Sequence, residues 1–318
     1  MMTPSERHIW DIKGLQMVQF VNTILIGITS GAIYSLMGIA LVLVWRSTRV
    51  INFAQAVLAL FTTYIGYEVV SKIDNYWIAL PIAILVGAVF ASLMEIIFIR
   101  KLSKLDHSSP IASVAPIIVS LGLMGLFRAV IAFIWGGQDV TIKAPLSNVG
   151  YSIGDKTLVF SPMKLMILIS AAILVLLLSI LFQKTNVGLS LRASAFAPEI
   201  AKLAGIKVDA IRTFGWALSG AVGAVAGLLQ TANGSGSISP DSIEFSVLLI
   251  SGFIAAVIGG LDSLVGTILG GFILGILVSF ALMYINGGLF FIAPLVILIV
   301  ILMIRPQGLF GLKVGRSA

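Results

Sequence analysis

The chain has 318 residues, 59% of them hydrophobic and only 10% charged, with a mean hydropathy of +1.11. Soluble domains carry about 25% charged residues, so most of this surface must face lipid rather than water. With no cysteine there is no disulfide framework, thiolate nucleophile or Cys-ligated metal, and the two histidines, His8 and His107, form no metal or catalytic cluster.

Residues 1–16 are polar and lack the basic-then-apolar layout of a cleaved signal, so the first apolar run is expected to act as a signal anchor. A helix crosses the hydrocarbon core with about 20 apolar residues. Nine segments qualify: 17–45, 51–70, 77–99, 111–135, 162–183, 210–231, 245–260, 264–285 and 288–304. The first is long enough to tilt or to break at "GITSG" (Gly27 to Gly31), and the seventh is short. The sequence thus predicts an all-α polytopic membrane protein of about nine spans, within a range of eight to ten. It is expected to be one transmembrane domain, residues 1–318, with a cytoplasmic loop at 184–209 and a cytoplasmic tail at 305–318.

The net charge of +7 could suggest nucleic acid, but the basic residues lie in loops between apolar runs. Nine spans with the C-terminus inside put thirteen of the 20 basic residues on the inner side, as the positive-inside pattern requires. Segments one to four and six to nine would then be two copies pointing in opposite directions, "NFAQAVLAL" being set against "EFSVLLISG".

The second segment follows "RSTRVINFAQ" (Arg46 to Gln55), which places amides just inside an oily run. If the helix starts near Asn52, then Gln55, Ala59, Thr62 and Gly66 share one small, polar face, opposite Leu58, Phe61 and Ile65. Asn52 would cap the helix while Gln55 sits at the rim and the small residues pack helices; equally, this stripe would border a hydrated conduit. In the third segment, Glu95 lies near the inner end and is expected to reach the interface. In the fourth, Arg128 lies about two turns from Trp135, where it either snorkels to the outer headgroups or serves a functional site.

The longest basic loop runs from Lys184 to Gly220. Within it Pro198 can open a short helix with Glu199 at its positive end, and Gly205 can close it in a left-handed cap. Ile200, Leu203 and Ala204 give this helix an apolar face, with Lys202 outward. It would dock a soluble partner or rest on lipid headgroups. "NGSGSISPDSIEF" (Asn233 to Phe245) is either a solvated connector or a loop whose Asp241 and Glu244 meet a basic partner. Glycine pairs at i, i+4, such as Gly27/Gly31, Gly223/Gly227 and Gly271/Gly275, suit close helix packing, though glycine is abundant in membrane helices generally.

"EIAKLAG" (Glu199 to Gly205) resembles the "EAA-x-x-x-G" coupling motif of bacterial ABC importer permeases. The run "LRASAFAPEIAKLAGIKVDAIRTFGWALSGAVGAVAGLL" is similar to the branched-chain amino acid permease family. So are "GAIYSLMGIALVLVWRSTRVINFAQAVLAL", "SLGLMGLFRAVIAFIWGGQD" and "FIAAVIGGLDSLVGTILGGFILGIL". The resemblance spans most of the chain, from about residue 20 to 310, with these stretches in the family's order. Two positions depart from the pattern: Ile200, where the motif often has alanine, and Ala56, where "INFA-x-G" has glycine.

The resemblance implies a permease subunit of the bacterial plasma (inner) membrane, paired with a second permease, two ATPase subunits inside and a solute-binding protein outside. It implies that Arg192 and Glu199 hold the coupling helix, that Ala201 and Gly205 allow close docking, and that Ile200 lies on the docking face. It also implies branched-chain or related amino acids as cargo, with urea or short amides the alternative. Asn52, Gln55, Thr62, Thr63 and Arg128 would then line the substrate pathway. The chain has no "GxxxxGK[ST]" phosphate loop, so ATP is expected on the partners, with no cofactor or metal of its own and no nucleic acid. An ion-coupled carrier would place ionisable groups deep in its spans, and a membrane enzyme would need convergent acid, base or nucleophile groups. Neither pattern is visible.

Overall fold

The computed structural model describes residues 4–102, 110–153, 156–305 and 308–309. His107, Lys104 and nearly all of the 305–318 tail lie outside the described residues. Among the described residues the chain is predominantly helical. The helices are α1 (Pro4–Thr48), α2 (Gln55–Ile73), α3 (Tyr76–Met94), the stub α4 (Arg100–Leu102), α5 (Pro110–Trp135), α6 (Pro162–Lys184), α7 (Asn186–Phe196), α8 (Pro198–Leu203), α9 (Val208–Asn233), α10 (Ile243–Gly259), α11 (Leu264–Tyr284) and α12 (Ile292–Ile304).

Local chemistry sets several of these boundaries. The side chain of Asn75 accepts from Trp77 and Ile78 N–H to start α3, and Ser161 accepts from Lys164 N–H ahead of Pro162 in α6. Thr185 and Ser263 cap α7 and α11 in the same way. Helix α2 starts at Gln55 and not at Asn52, which instead closes the turn before it: Ala54 N–H donates to Asn52 Oδ1, and Gln55 N–H to Asn52 O.

Among the described residues, seven helices are long and apolar enough to cross a membrane, and two shorter apolar ones, Ile243–Gly259 and Ile292–Ile304, fall where the remaining two spans are expected. The protein is thus an all-α multi-pass membrane protein. Helix α1 runs unbroken through "GITSG". The glycines there serve packing and not a break: a Cβ on Gly27 would lie 2.7 Å from the Ile276 backbone, and one on Gly31 2.8 Å from the Gly271 carbonyl oxygen.

The helix partnerships follow a two-fold exchange. Helix α1 packs along α11 as α9 packs along α3, α2 meets α3 as α10 meets α11, and α1 meets α10 as α2 meets α9. The two lead helices, α1 and α9, also pack on each other. This is the arrangement that two inverted copies separated by α6 would produce. The lead helices α1 and α9 are central and mostly buried, while α5 and α6 are mostly exposed and form the periphery.

Alternate crossings sort the loops to two ends. At the basic end, Arg49 pairs with Asp262 at 2.6 Å, Arg46 lies over the Phe182 ring at 5.1 Å, and Leu309 N–H donates to Ile258 O. At the opposite end, the strand β1 (Val140–Thr141) pairs antiparallel with β4 (Ser237–Ile238), and β2 (Tyr151–Ile153) pairs with β3 (Lys156–Leu158). There Asn22 bonds to Thr157 and Val159, and Trp135 donates to Glu68.

Candidate functional site

The polar stripe of α2 forms a seam and is not an open wall in this conformation. Asn52, Gln55, Thr62 and Thr63 are all buried. Asn52 Nδ2 donates to Gln55 Oε1 at 3.2 Å, and Gln55 Nε2 donates to the Ser219 carbonyl of α9 at 3.2 Å. Ser219 Oγ lies 2.7 Å from Ala40 O on α1 and 3.1 Å from Gln55 Oε1, so one hydroxyl bridges two further helices. Thr62 and Thr63 each bond back to α2 carbonyls, Ala59 O among them. The small residues allow this approach: a Cβ on Gly223 would lie 2.4 Å from Gln55 Nε2, and one on Gly227 2.6 Å from Thr63 Oγ1. Each hydrogen bond contributes about 1 kcal/mol net, but an orphaned buried partner costs about 1–3 kcal/mol, so the cluster fixes where α1, α2 and α9 meet. Chemically it offers neutral donors and acceptors, already spent on one another.

Arg128 lies apart from this group. It is half-buried on α5, donates to Ser246 Oγ of α10 at 2.8 Å, and leaves its Nε without a partner. Beyond α10, an open cleft of about 330 Å³ at the opposite end is lined by Asp139, Asp241, Glu244 and several serines, with no basic residue.

At the basic end, α7 and α8 form a projection between α6 and α9. Pro198 stands in the first turn of α8, Glu199 pairs with Lys202 at 2.9 Å, and Gly205 adopts φ +82°. Gly205 N–H donates to Lys202 O and Ile206 N–H to Ala201 O, so the left-handed turn closes the helix. Ala201 points inward and is buried, while Arg192, Glu199 and Gly205 are exposed. The outward face is apolar: Phe196 is 91%, Ile200 69% and Leu203 89% exposed. Phe196 carries no signal in the coupling motif; it becomes visible only because α7 ends where α8 begins.

A second cluster lies where the loop re-enters the bundle. Glu95, expected at the interface, is instead completely buried. Helix α3 continues through a π-helical turn, Glu95–Ile99, into α4, which keeps the carboxylate in the α3–α9 seam and lets arginines come to it. Arg100 Nη2 lies 2.7 Å from Glu95 Oε2 and Arg212 Nε 2.8 Å from Oε1, while Thr213 Oγ1 donates to Oε2 at 2.8 Å. Arg212 also meets Asp209 at 3.1 Å. The sequence signal for this cluster was a lone acid eight residues past Gly87 and an Arg-Thr pair eight and seven before Gly220, legible only once the two glycines are known to touch.

Compared with known proteins, the chain as a whole is similar to transport permeases. The family described as "Branched-chain amino acid transport system / permease component" matches residues 23–304. The "Probable branched-chain amino acid transport permease protein LivH" of Methanocaldococcus jannaschii is 31% identical over 292 residues, covering 87% of this chain and 88% of that one. The "High-affinity branched-chain amino acid transport system permease protein LivH" of Escherichia coli K12 is 25% identical, covering 93% and 97%. Among solved structures, PsaBC from Streptococcus pneumoniae in complex with Fab matches at 17% identity and a TM-score of 0.44, covering 93% of this chain and 95% of that chain.

Proposed function

Because the chain belongs to the branched-chain amino acid transport permease family, we propose that it is the membrane-spanning subunit of an ABC importer for branched-chain or related amino acids. ATP hydrolysis in two partner ATPases drives it, and the chain itself binds no cofactor. One observation carries this reading: on a basic projection between two spans, Phe196, Ile200 and Leu203 present an apolar face to solvent. Large exposed apolar patches beside charged residues mark a docking surface.

In this reading the 184–209 loop is cytoplasmic and the ATPase grips α7 and α8 there, with Ile200 in the contact. Ala201 seats the helix on its own chain, and Gly205 supplies the turn that redirects it into α9. A second permease, a copy or a paralogue, completes the pathway in the bacterial plasma membrane. A solute-binding protein delivers cargo at the opposite end, near the acidic cleft. When α2 and α9 part, Gln55 exchanges its bonds to Ser219 for bonds to a passing zwitterion, Asn52, Thr62 and Thr63 offer further neutral groups along the same stripe, and Arg128 lies nearer the entrance.

The test is uptake of labelled leucine into liposomes holding the assembly purified with its native partners. ATP inside and loaded receptor outside must both be required. Uptake without ATP would refute the reading.

A further inference from the structure

The two-fold exchange gives each seam a counterpart, and two counterparts differ in chemistry. Where α1 and α11 run together at the opposite end, beyond Gly27 and Gly275, the seam is crossed by an aromatic contact, Phe20 of α1 meeting Phe280 of α11 edge-on at 5.5 Å. Where α3 and α9 run together at the basic end, beyond Gly87 and Gly220, the seam is closed by Glu95 with Arg100, Arg212 and Thr213. Burying a carboxylate and its arginines is no cheaper than packing rings, so stability does not call for charge there. What distinguishes the α3–α9 seam is its place in the chain. Only four residues separate α8 from α9, and Arg212 and Thr213 lie in the first two turns of α9. An ion pair with two arginines and a hydroxyl resists shear directionally, which apolar contact does not.

Resting on the importer reading above, we propose that Glu95 is a positioning residue that clasps α3 to the start of α9, so that movement of the 184–209 loop reaches both helices together. Downstream, the backbones at Gly87 and Gly220 touch, and a Cβ on Gly220 would lie 2.0 Å from Gly87 O. The pair therefore moves as one body only if its basic end is held as tightly as its middle. Without the clasp, α9 tilts at its first turns while α3 and its π-helical turn stay behind.

The experiment measures ATP hydrolysis and leucine uptake by the complete assembly in liposomes, with Glu95→Gln and, separately, Thr213→Val. Loss of the clasp is expected to leave hydrolysis intact and lower uptake per ATP hydrolysed by about tenfold, within the ordinary range of inter-site coupling. A merely structural role would lower both in proportion. Should Glu95→Gln not accumulate, Thr213→Val decides alone. The chain has no cysteine, so Glu95→Cys with Thr213→Cys can be bridged by a short bifunctional thiol reagent. Bridging is expected to restore the coupling ratio that the unbridged pair has lost. Wild-type coupling in the single variants, a proportional fall in both activities, or failure of bridging to restore coupling overturns the clasp. Absence of ATP-driven uptake by the wild-type assembly is a different failure, and it refutes the importer reading instead.

Discussion

Gly220→Ala is the sharpest probe of how the two halves are joined. The added Cβ would lie 2.0 Å from Gly87 O and 2.6 Å from Ala91 Cβ, where ordinary contact begins at 3.4 Å. The obstacle is a backbone carbonyl with no rotamer to yield, so α3 and α9 must part by on the order of 1 Å in an interior packed like a crystal. Overpacking costs about 1–3 kcal/mol, and alanine returns about 0.5–1 kcal/mol of helix propensity, leaving a net loss of about 1 kcal/mol. Gly125→Ala is the control, since nothing lies within 4 Å of a Cβ there and the same propensity gain applies. Thermal unfolding in detergent, followed by tryptophan fluorescence, reports the difference. Trp216 is fully buried on α9, one turn from Gly220. Gly220→Ala should melt below wild type and Gly125→Ala at or above it. Equal melting of both variants would mean that the α3–α9 contact is not made.

Two further outcomes follow from the geometry. Gln55→Leu removes the acceptor for Asn52 and the link to Ser219, and should cost about 1–3 kcal/mol of stability in the same assay; unchanged melting would show that the α1–α2–α9 joint does not depend on it. Ile200→Asp puts a carboxylate on a face that is 69% exposed. It should leave membrane abundance normal while abolishing co-purification of the ATPase and ATP-driven uptake, and retention of both would remove Ile200 from the docking surface.

The apolar helices were legible because hydrophobic length is a property of consecutive residues: among the described residues, the nine apolar runs coincide with seven helices long enough to cross a membrane and two shorter ones. The Pro198 start and Gly205 end of α8 were legible for a similar local reason, since ring closure and positive φ are fixed residue by residue. The amides were harder. Their spacing put Gln55, Thr62 and Gly66 on one face of α2, but spacing does not say whether a polar face meets water or a partner. Here Ser219, 164 residues away, supplies the bonds. A lone acid near a span end, such as Glu95, reads as one that snorkels to the interface, yet it is buried. Its arginine Arg212 is 117 residues distant, and the π-helical turn that keeps it buried leaves no pattern in the sequence. Long-range polar pairing was what the sequence withheld.

Which side of the membrane carries α8 decides the account most directly. Lys202 pairs with Glu199 on an exposed surface, so Lys202→Cys costs under about 1 kcal/mol and introduces the chain's sole thiol. A membrane-impermeant maleimide should label this variant in inside-out vesicles and leave it untouched in intact cells. Labelling in intact cells would put the loop on the outside, away from any ATPase, and would contradict the account.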